Sequence, residues 1–375
     1  MTSQTINQIR LFDLGRQYAE IQPEIEAAIH DVFSRGVYVK GPFVETFERE
    51  WAQYCGTRFA IGVSSGTTAL ELLFRAYGIG PGDEVIVPAN TAIPTAMAVS
   101  NVGALPILAD CERHSANIDP DAIEAVVTPR TKAIVPVHLY GRPARMDEVT
   151  EIAQRHGLIV IEDAAQAHGA RYRGKRVGSL SASAAFSFHP SKNLGAYGDG
   201  GIVTTDDPVI YEKVSQLRDI GQSARYTHVR VGTVGRLDDL HAAMLSVKLR
   251  HLDDWIAARR ATAERYTRAF AGTPVSTIPD AEHEFAVYHL YVVELPNRDR
   301  VCAALDAAHI DWGIHYPTPI HQQQAYASAP IAPRPLPVAE ARSARILSLP
   351  MSADLEPAEL DRVVEVVLGA FGGAA

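Results

Sequence analysis

Cysteine is scarce: Cys55, Cys111 and Cys302 are the only three in 375 residues. They lie far apart and form no C-x-x-C pair, so a cysteine zinc site is excluded, and an odd count argues against a disulfide framework. Free thiols fit a reducing cytoplasm. Positive charge is also in deficit, with 35 Lys and Arg against 44 Asp and Glu and a net charge of −9. That balance lacks the basic footprint of a nucleic-acid binder. No stretch approaches 18 uncharged apolar residues, so no membrane span is expected. The N-terminus has no apolar segment behind a basic start, which predicts no signal peptide. His283-Glu284 is followed by Val287 where a zincin needs its second His, so no metal site is expected.

Apolar residues make up 47%, enough for a large core. Short apolar runs alternate with helical patterns. Phe59–Val63, Glu84–Val87, Ala104–Leu108, Ala133–Leu139 and Leu158–Ile161 read as strands, with helices over Thr68–Tyr77 and Ile93–Val102. Nearly continuous apolar strands separated by helices imply a parallel sheet covered on both faces, hence a three-layer α/β domain. From about Leu237 a helical spacing runs to about Phe270, long enough to kink or to bridge two domains. Beyond it come a strand over Val287–Leu295, a helix over Arg298–His309 and a closing helix over Pro357–Leu368, entered through Ser352-Ala-Asp-Leu. A large α/β domain over 1–250 and a smaller α+β domain over 251–375 are therefore expected.

Three segments could carry chemistry. Gly62-Val-Ser-Ser-Gly-Thr-Thr68 joins a strand to a helix, and free N–H groups at a helix start make an anion site. Gly66 allows close backbone approach and Thr67 adds a hydroxyl; no Lys follows, so this is no Walker loop. The same stretch could be a plain Ser N-cap with a tight turn. It also matches the G-x-S-x-G elbow of α/β-hydrolases, with Ser64 as nucleophile. In the second segment, Asp163 ends an apolar strand, where a carboxylate needs a cationic partner unless it only caps a helix; Glu162 should face the other way. In the third, Lys192 lies within Ser187-Phe-His-Pro-Ser-Lys-Asn-Leu-Gly. Apart from His189 no other charge stands between Gly178 and Tyr197, a setting that can lower an amine's pKa and make it a nucleophile. Anion cradle, carboxylate and desolvated amine together suit pyridoxal 5′-phosphate.

The chain resembles the DegT/StrS-type sugar aminotransferases, among the fold type I pyridoxal-phosphate enzymes. The likeness rests on Ser65-Gly-Thr67, Glu162-Asp-Ala-Ala-Gln-Ala-His-Gly169, Ser187-Phe-His-Pro-Ser-Lys192, Arg236-Leu-Asp, Tyr316-Pro and Leu347-Ser-Leu-Pro350. The resemblance implies that Lys192 forms the Schiff base and moves the proton. It further implies that Asp163 pairs with the pyridine nitrogen, Gln166 bonds the ring hydroxyl, and Gly66, Thr67 and Ser187 hold the phosphate. Tyr316 and His321 would lie on the substrate side. The implied activity is amination of a keto-sugar, a nucleotide-linked 3-keto or 4-keto hexose, with glutamate as donor, by a cytoplasmic homodimer with active sites at the interface. Amino-sugar and antibiotic biosynthesis would be the setting. Alternatives are a transaminase of a keto-cyclitol or aminoglycoside precursor, a non-catalytic sensor, or a dehydratase, whose His in place of Lys192 is lacking here. Two positions depart from the family pattern: Ala92 stands where an aromatic residue often stacks on the ring, and Val234 where a cross-subunit Asn often reaches the phosphate.

Overall fold

A computed structural model describes residues 8–327 and 335–372. Seven strands form the central sheet: β1 (Phe59–Val63), β2 (Glu84–Pro88), β3 (Leu105–Ala109), β4 (Thr131–Ile134), β5 (Ile159–Asp163), β6 (Ser183–Ser187) and β7 (Gly201–Thr205). Their order is β1-β7-β6-β5-β4-β2-β3. Every neighbouring pair is parallel except the two that β7 makes, with β1 and with β6. Helices α1 (Leu14–Arg35), α2 (Pro42–Cys55), α3 (Gly66–Tyr77), α4 (Ile93–Asn101), α5 (Met146–His156) and α6 (Pro208–Arg218) accompany this sheet. The expected three-layer α/β architecture is present.

Several boundaries differ from the sequence reading for local reasons. The strand expected over Ala133–Leu139 stops at Ile134; Val135 still donates to Ile86, but Pro136 has no N–H to continue the ladder. β5 runs two residues further than expected, so Asp163 itself is its last member. β6 is built from Ser and Ala around one Phe and gave no strand signal; burial of Ala184, Ala185 and Phe186 holds it in place. The expected strand over Val287–Leu295 is only β8, Tyr291–Glu294, because Tyr288 takes φ +46° and turns the chain.

The long helix α7 (Asp239–Phe270) runs unbroken through residue 250. Its first half packs Ala242, Leu245, Leu252 and Ile256 with Trp51, Phe186 and Phe188. Its second half packs Ala263, Tyr266 and Phe270 into a separate core. That core holds β8, β9 (Ile346–Leu349), α8 (Arg298–Ala307) and a closing helix, α9 (Pro357–Gly372). So a shared helix, and not a linker, joins the two cores. Ile9 also packs into this second core, although the sequence reading grouped it with the first domain.

Candidate functional site

In α/β sheets, ligands bind beyond the carboxyl ends of the parallel strands. Here those ends open into one cavity of about 370 Å³. Of the residues singled out in the sequence, Gly66, Thr67, Asp163, Gln166, Ser187, Lys192 and Tyr316 all line it.

The cradle follows from sheet register. Gly201 on β7 pairs with Val63 on one side and Ser187 on the other, bringing the β1–α3 turn against the end of β6. The fit is tight enough to require glycine: a Cβ on Gly66 would lie 2.8 Å from Ser187 Cβ, and one on Gly201 2.4 Å from the Ser65 carbonyl carbon. Ser65 does cap α3, its Oγ accepting from Thr68 N–H at 3.0 Å. The amides of Gly66 and Thr67 belong to the first turn, where a helix has no carbonyl of its own to offer. The cap therefore does not consume the Gly66 and Thr67 amides. Ser64 Oγ lies 3.0 Å from Thr68 Oγ1 and does not line the cavity. No histidine bonds it among the described hydrogen bonds, so the hydrolase reading lacks its base.

On the other wall, Asp163 Oδ2 accepts from Thr95 Oγ1 at 2.7 Å and Oδ1 from Ala165 N–H at 3.1 Å. Burial pushes this carboxyl up, while the two donors and the nearby Lys192 and His138 pull it back. Glu162 faces away, as alternation requires. It accepts from the Gly178 and Leu180 amides and pairs with His138 Nε2 at 3.0 Å. His138 Nδ1 accepts from Ala144 N–H, which leaves Nε2 to donate to Glu162. Gln166 is fixed in one orientation: Oε1 takes the Tyr140 N–H at 2.7 Å, which leaves Nε2 to donate to Tyr316 Oη at 3.1 Å.

Lys192 sits on a tight loop in which Ala196 N–H donates to the Phe188 carbonyl and Phe188 N–H to that of Gly200. Burial lowers its ammonium to about 8, although Asp163 opposes the shift. Lys248 is also brought to about 8 by burial. It lies outside the cavity, however, with its Nζ donating to the Gly195 carbonyl at 2.7 Å. His289 and His315 line the cavity as well, and burial first, then the charge of Lys192, keeps both imidazoles neutral. Lys192 is thus the one Lys or Arg in the lining among the described residues.

His321 is not brought to the cavity. It is buried on a 3-10 turn, with Nε2 3.0 Å from Glu340 Oε1. Ala92 does line the cavity, whereas Val234 is 67% exposed on a loop away from it. Sequence reasoning missed Thr95, Phe12, His289 and His315. Thr95 meets Asp163 across 68 residues, and Phe12 stacks on His289 at 5.8 Å from a distant segment, so no local motif marked either pair.

The sequence model of the DegT/DnrJ/EryC1/StrS aminotransferase family matches residues 19–368. The chain belongs to this family. It is 46% identical over 360 residues to the dTDP-3-amino-3,4,6-trideoxy-alpha-D-glucose transaminase of Streptomyces venezuelae, covering 96% of this chain and 95% of that protein. It is 47% identical to the erythromycin biosynthesis sensory transduction protein EryC1 of Saccharopolyspora erythraea, over 95% of this chain and 98% of that one. Among solved structures, S. venezuelae DesV in complex with a ketimine intermediate superposes with a TM-score of 0.95 at 45% identity, covering 98% of this chain and 99% of that one. Another solved relative, ntda from Bacillus subtilis with bound cofactor PMP, has a TM-score of 0.87 at 30% identity, over 94% of this chain and 82% of that one.

This family member is a pyridoxal-phosphate-dependent aminotransferase. Its own residues fit the cofactor: an anion cradle that a Cβ would fill, a buried carboxylate with room for a cation, and a half-buried amine of lowered pKa. A first prediction follows from that amine. Only uncharged Nζ attacks an aldehyde, so the rate at which cofactor-free aminotransferase takes up pyridoxal phosphate should rise about tenfold per pH unit and level off near pH 8. An ordinary lysine would keep rising to about pH 10. Stopped-flow absorbance across this range decides between them.

Proposed function

We propose that this aminotransferase places an amino group on C3 of a nucleotide-linked keto-hexose, using Lys192 as its base and glutamate as its donor. The observation that carries the reading is the 46% identity, over 96% of the chain, to an enzyme named for a dTDP-3-amino-hexose. Four relatives at 41% to 44% identity are also named for 3-amino, 3-oxo or 3-dehydro sugars on dTDP or UDP, while another at 41% is named GDP-perosamine synthase. Bound in the cavity, the cofactor supplies an electron sink for the carbon that loses its proton. Gly66, Thr67 and Ser187 would hold its phosphate, Asp163 would keep the ring nitrogen protonated, and Gln166 would hydrogen-bond the ring hydroxyl. Lys192 Nζ carries the proton that leaves the amino acid and later the one that reaches the sugar. Neutral His289, His315 and Tyr316 line the space left for the sugar, where hydroxyl groups need hydrogen-bond partners and no charge.

Glutamate and a sugar nucleotide both bring negative charge, yet Lys192 is the lining's one Lys or Arg among the described residues. A second copy of the chain would supply the missing cations, with the active site at the interface of a homodimer. Exposed Phe33, Tyr38, Tyr226 and Val231 offer apolar surface for that contact. No helix among the described residues is long and apolar enough to cross a membrane. Cys55, Cys111 and Cys302 are free thiols, in keeping with a cytoplasmic enzyme of amino-sugar biosynthesis. The test runs the reaction backwards: a dTDP-3-amino-3,6-dideoxyhexose with 2-oxoglutarate should yield glutamate. Turnover of an aminocyclitol in place of the nucleotide sugar would overturn the substrate assignment.

The two departures from the family pattern give a further expected result. With Ala92 and Val234 the cofactor lacks a ring stack, about 0.5–1.5 kcal/mol, and a hydrogen bond to a charged group, about 1.5–3 kcal/mol. Covalent attachment through Lys192 offsets the loss in the resting enzyme but not when the cofactor is in its amino form. Dialysis after incubation with glutamate should therefore strip this enzyme, and A92Y combined with V234N should slow the loss by more than tenfold. Equal retention by both proteins would show that other residues, such as Phe12 or Tyr316, already compensate.

A further inference from the structure

Asp163 does not stand alone on its wall. Thr95, in the first turn of α4, is only 1% exposed, and its Oγ1 lies 2.7 Å from Asp163 Oδ2. The other carboxylate oxygen is held by Ala165 N–H at 3.1 Å. A carboxylate anchored at one oxygen can still turn about its Cβ–Cγ bond; anchored at both, its plane is fixed. Thr95 Oγ1 donates to Oδ2, so its hydrogen is committed there. The hydroxyl of Thr91, a residue 3% exposed, lies 3.4 Å from Thr95 Oγ1. Thr91 must then be the donor to Thr95, giving a short relay that ends on Asp163. All three residues line the cavity.

We propose that Thr95 is a positioning residue that locks the Asp163 carboxylate in the plane and charge state needed to grip a protonated ring nitrogen. The inference rests on the reading that Asp163 faces that nitrogen. Thr95 also packs in the wall, so loss of its side chain alone would not separate the two roles. The ring nitrogen does separate them. A positioning residue acts through the nitrogen, and a packing residue acts regardless of it.

The experiment titrates cofactor-free enzyme with pyridoxal 5′-phosphate and, separately, with its 1-deaza analogue, in which a C–H replaces the ring nitrogen. Binding is followed by fluorescence quenching, with no turnover required. Thr95→Val keeps the shape and removes the hydroxyl; it should weaken pyridoxal phosphate about tenfold and change the deaza analogue less than about twofold. Thr95→Ser keeps the hydroxyl and should bind both cofactors like the wild type. Thr95→Ala serves if the Val variant does not fold, with the same difference between cofactors expected. Equal weakening of both cofactors, or of neither, overturns the positioning role. Asp163→Asn is the reference: if it distinguishes the cofactors and Thr95→Val does not, the Thr95 inference alone fails. If Asp163→Asn also treats both alike, the reading of Asp163 fails and takes the Thr95 role with it.

Discussion

Replacing Lys192 with Ala is expected to reduce transamination by roughly three orders of magnitude or more, because the proposed nucleophile and proton carrier are lost together. No neighbour can take over. Lys248 is the other lysine with a similarly lowered pKa, but its Nζ is turned to the Gly195 carbonyl and lies outside the cavity. The imidazoles of His289 and His315 are neutral, but they cannot form the covalent link that an amine forms. The cradle and Asp163 remain, so the variant should still bind pyridoxal phosphate non-covalently. Borohydride treatment followed by mass spectrometry should fix the cofactor to the wild type and not to the variant. Single-turnover rates with glutamate near those of the wild type would remove Lys192 from its role.

Asp163→Asn should have the second-largest effect, a fall in kcat of about a hundredfold or more with KM for glutamate changed much less. Asn has nearly the same shape but no charge to keep a ring nitrogen protonated, and that proton matters most when negative charge develops in the transition state. Stability supplies the control. Burial raises the folded-state pKa of Asp163 above its ordinary value. The stabilisation linked to a raised pKa is fully present below the unfolded pKa and is lost as pH rises through the folded one. Burial favours the neutral form of Asp163, so its charge does not stabilise the cofactor-free fold. Cofactor-free Asp163→Asn should melt within a few degrees of the wild type, while the loaded variant loses the stabilisation that cofactor binding gives. A variant with normal kcat and a large fall in cofactor-free Tm would make Asp163 a structural cap.

The elements that sequence reading placed well were those with a strong local signal. Helices α3 and α4 came out within about two residues of their ends, through their periodic Leu, Phe, Ala and Val positions. The strands it misjudged are governed by contacts outside themselves: β6 is a Ser/Ala segment held by its neighbours, and the run ahead of β8 is broken by the turn at Tyr288. The same division runs through the site. Lys192, Asp163 and the Gly66 turn each sit in segments whose composition is odd for a surface or a core, a lysine in a charge-poor loop and a carboxylate ending an apolar strand. His321, by contrast, came only from the resemblance, and the fold turns it towards Glu340.

By itself, then, the sequence marked the candidates, an amine in a charge-poor loop, a carboxylate ending an apolar strand and a glycine turn, because backbone freedom and charge are local properties. Tertiary structure alone decided which groups meet. Register across β7 sets Gly66 against Ser187, α4 carries Thr95 to Asp163, and the N-terminal segment lays Phe12 beside His289. Such contacts join residues tens to hundreds of positions apart, and their distances depend on how sheet and helices pack, which no local pattern of residues encodes.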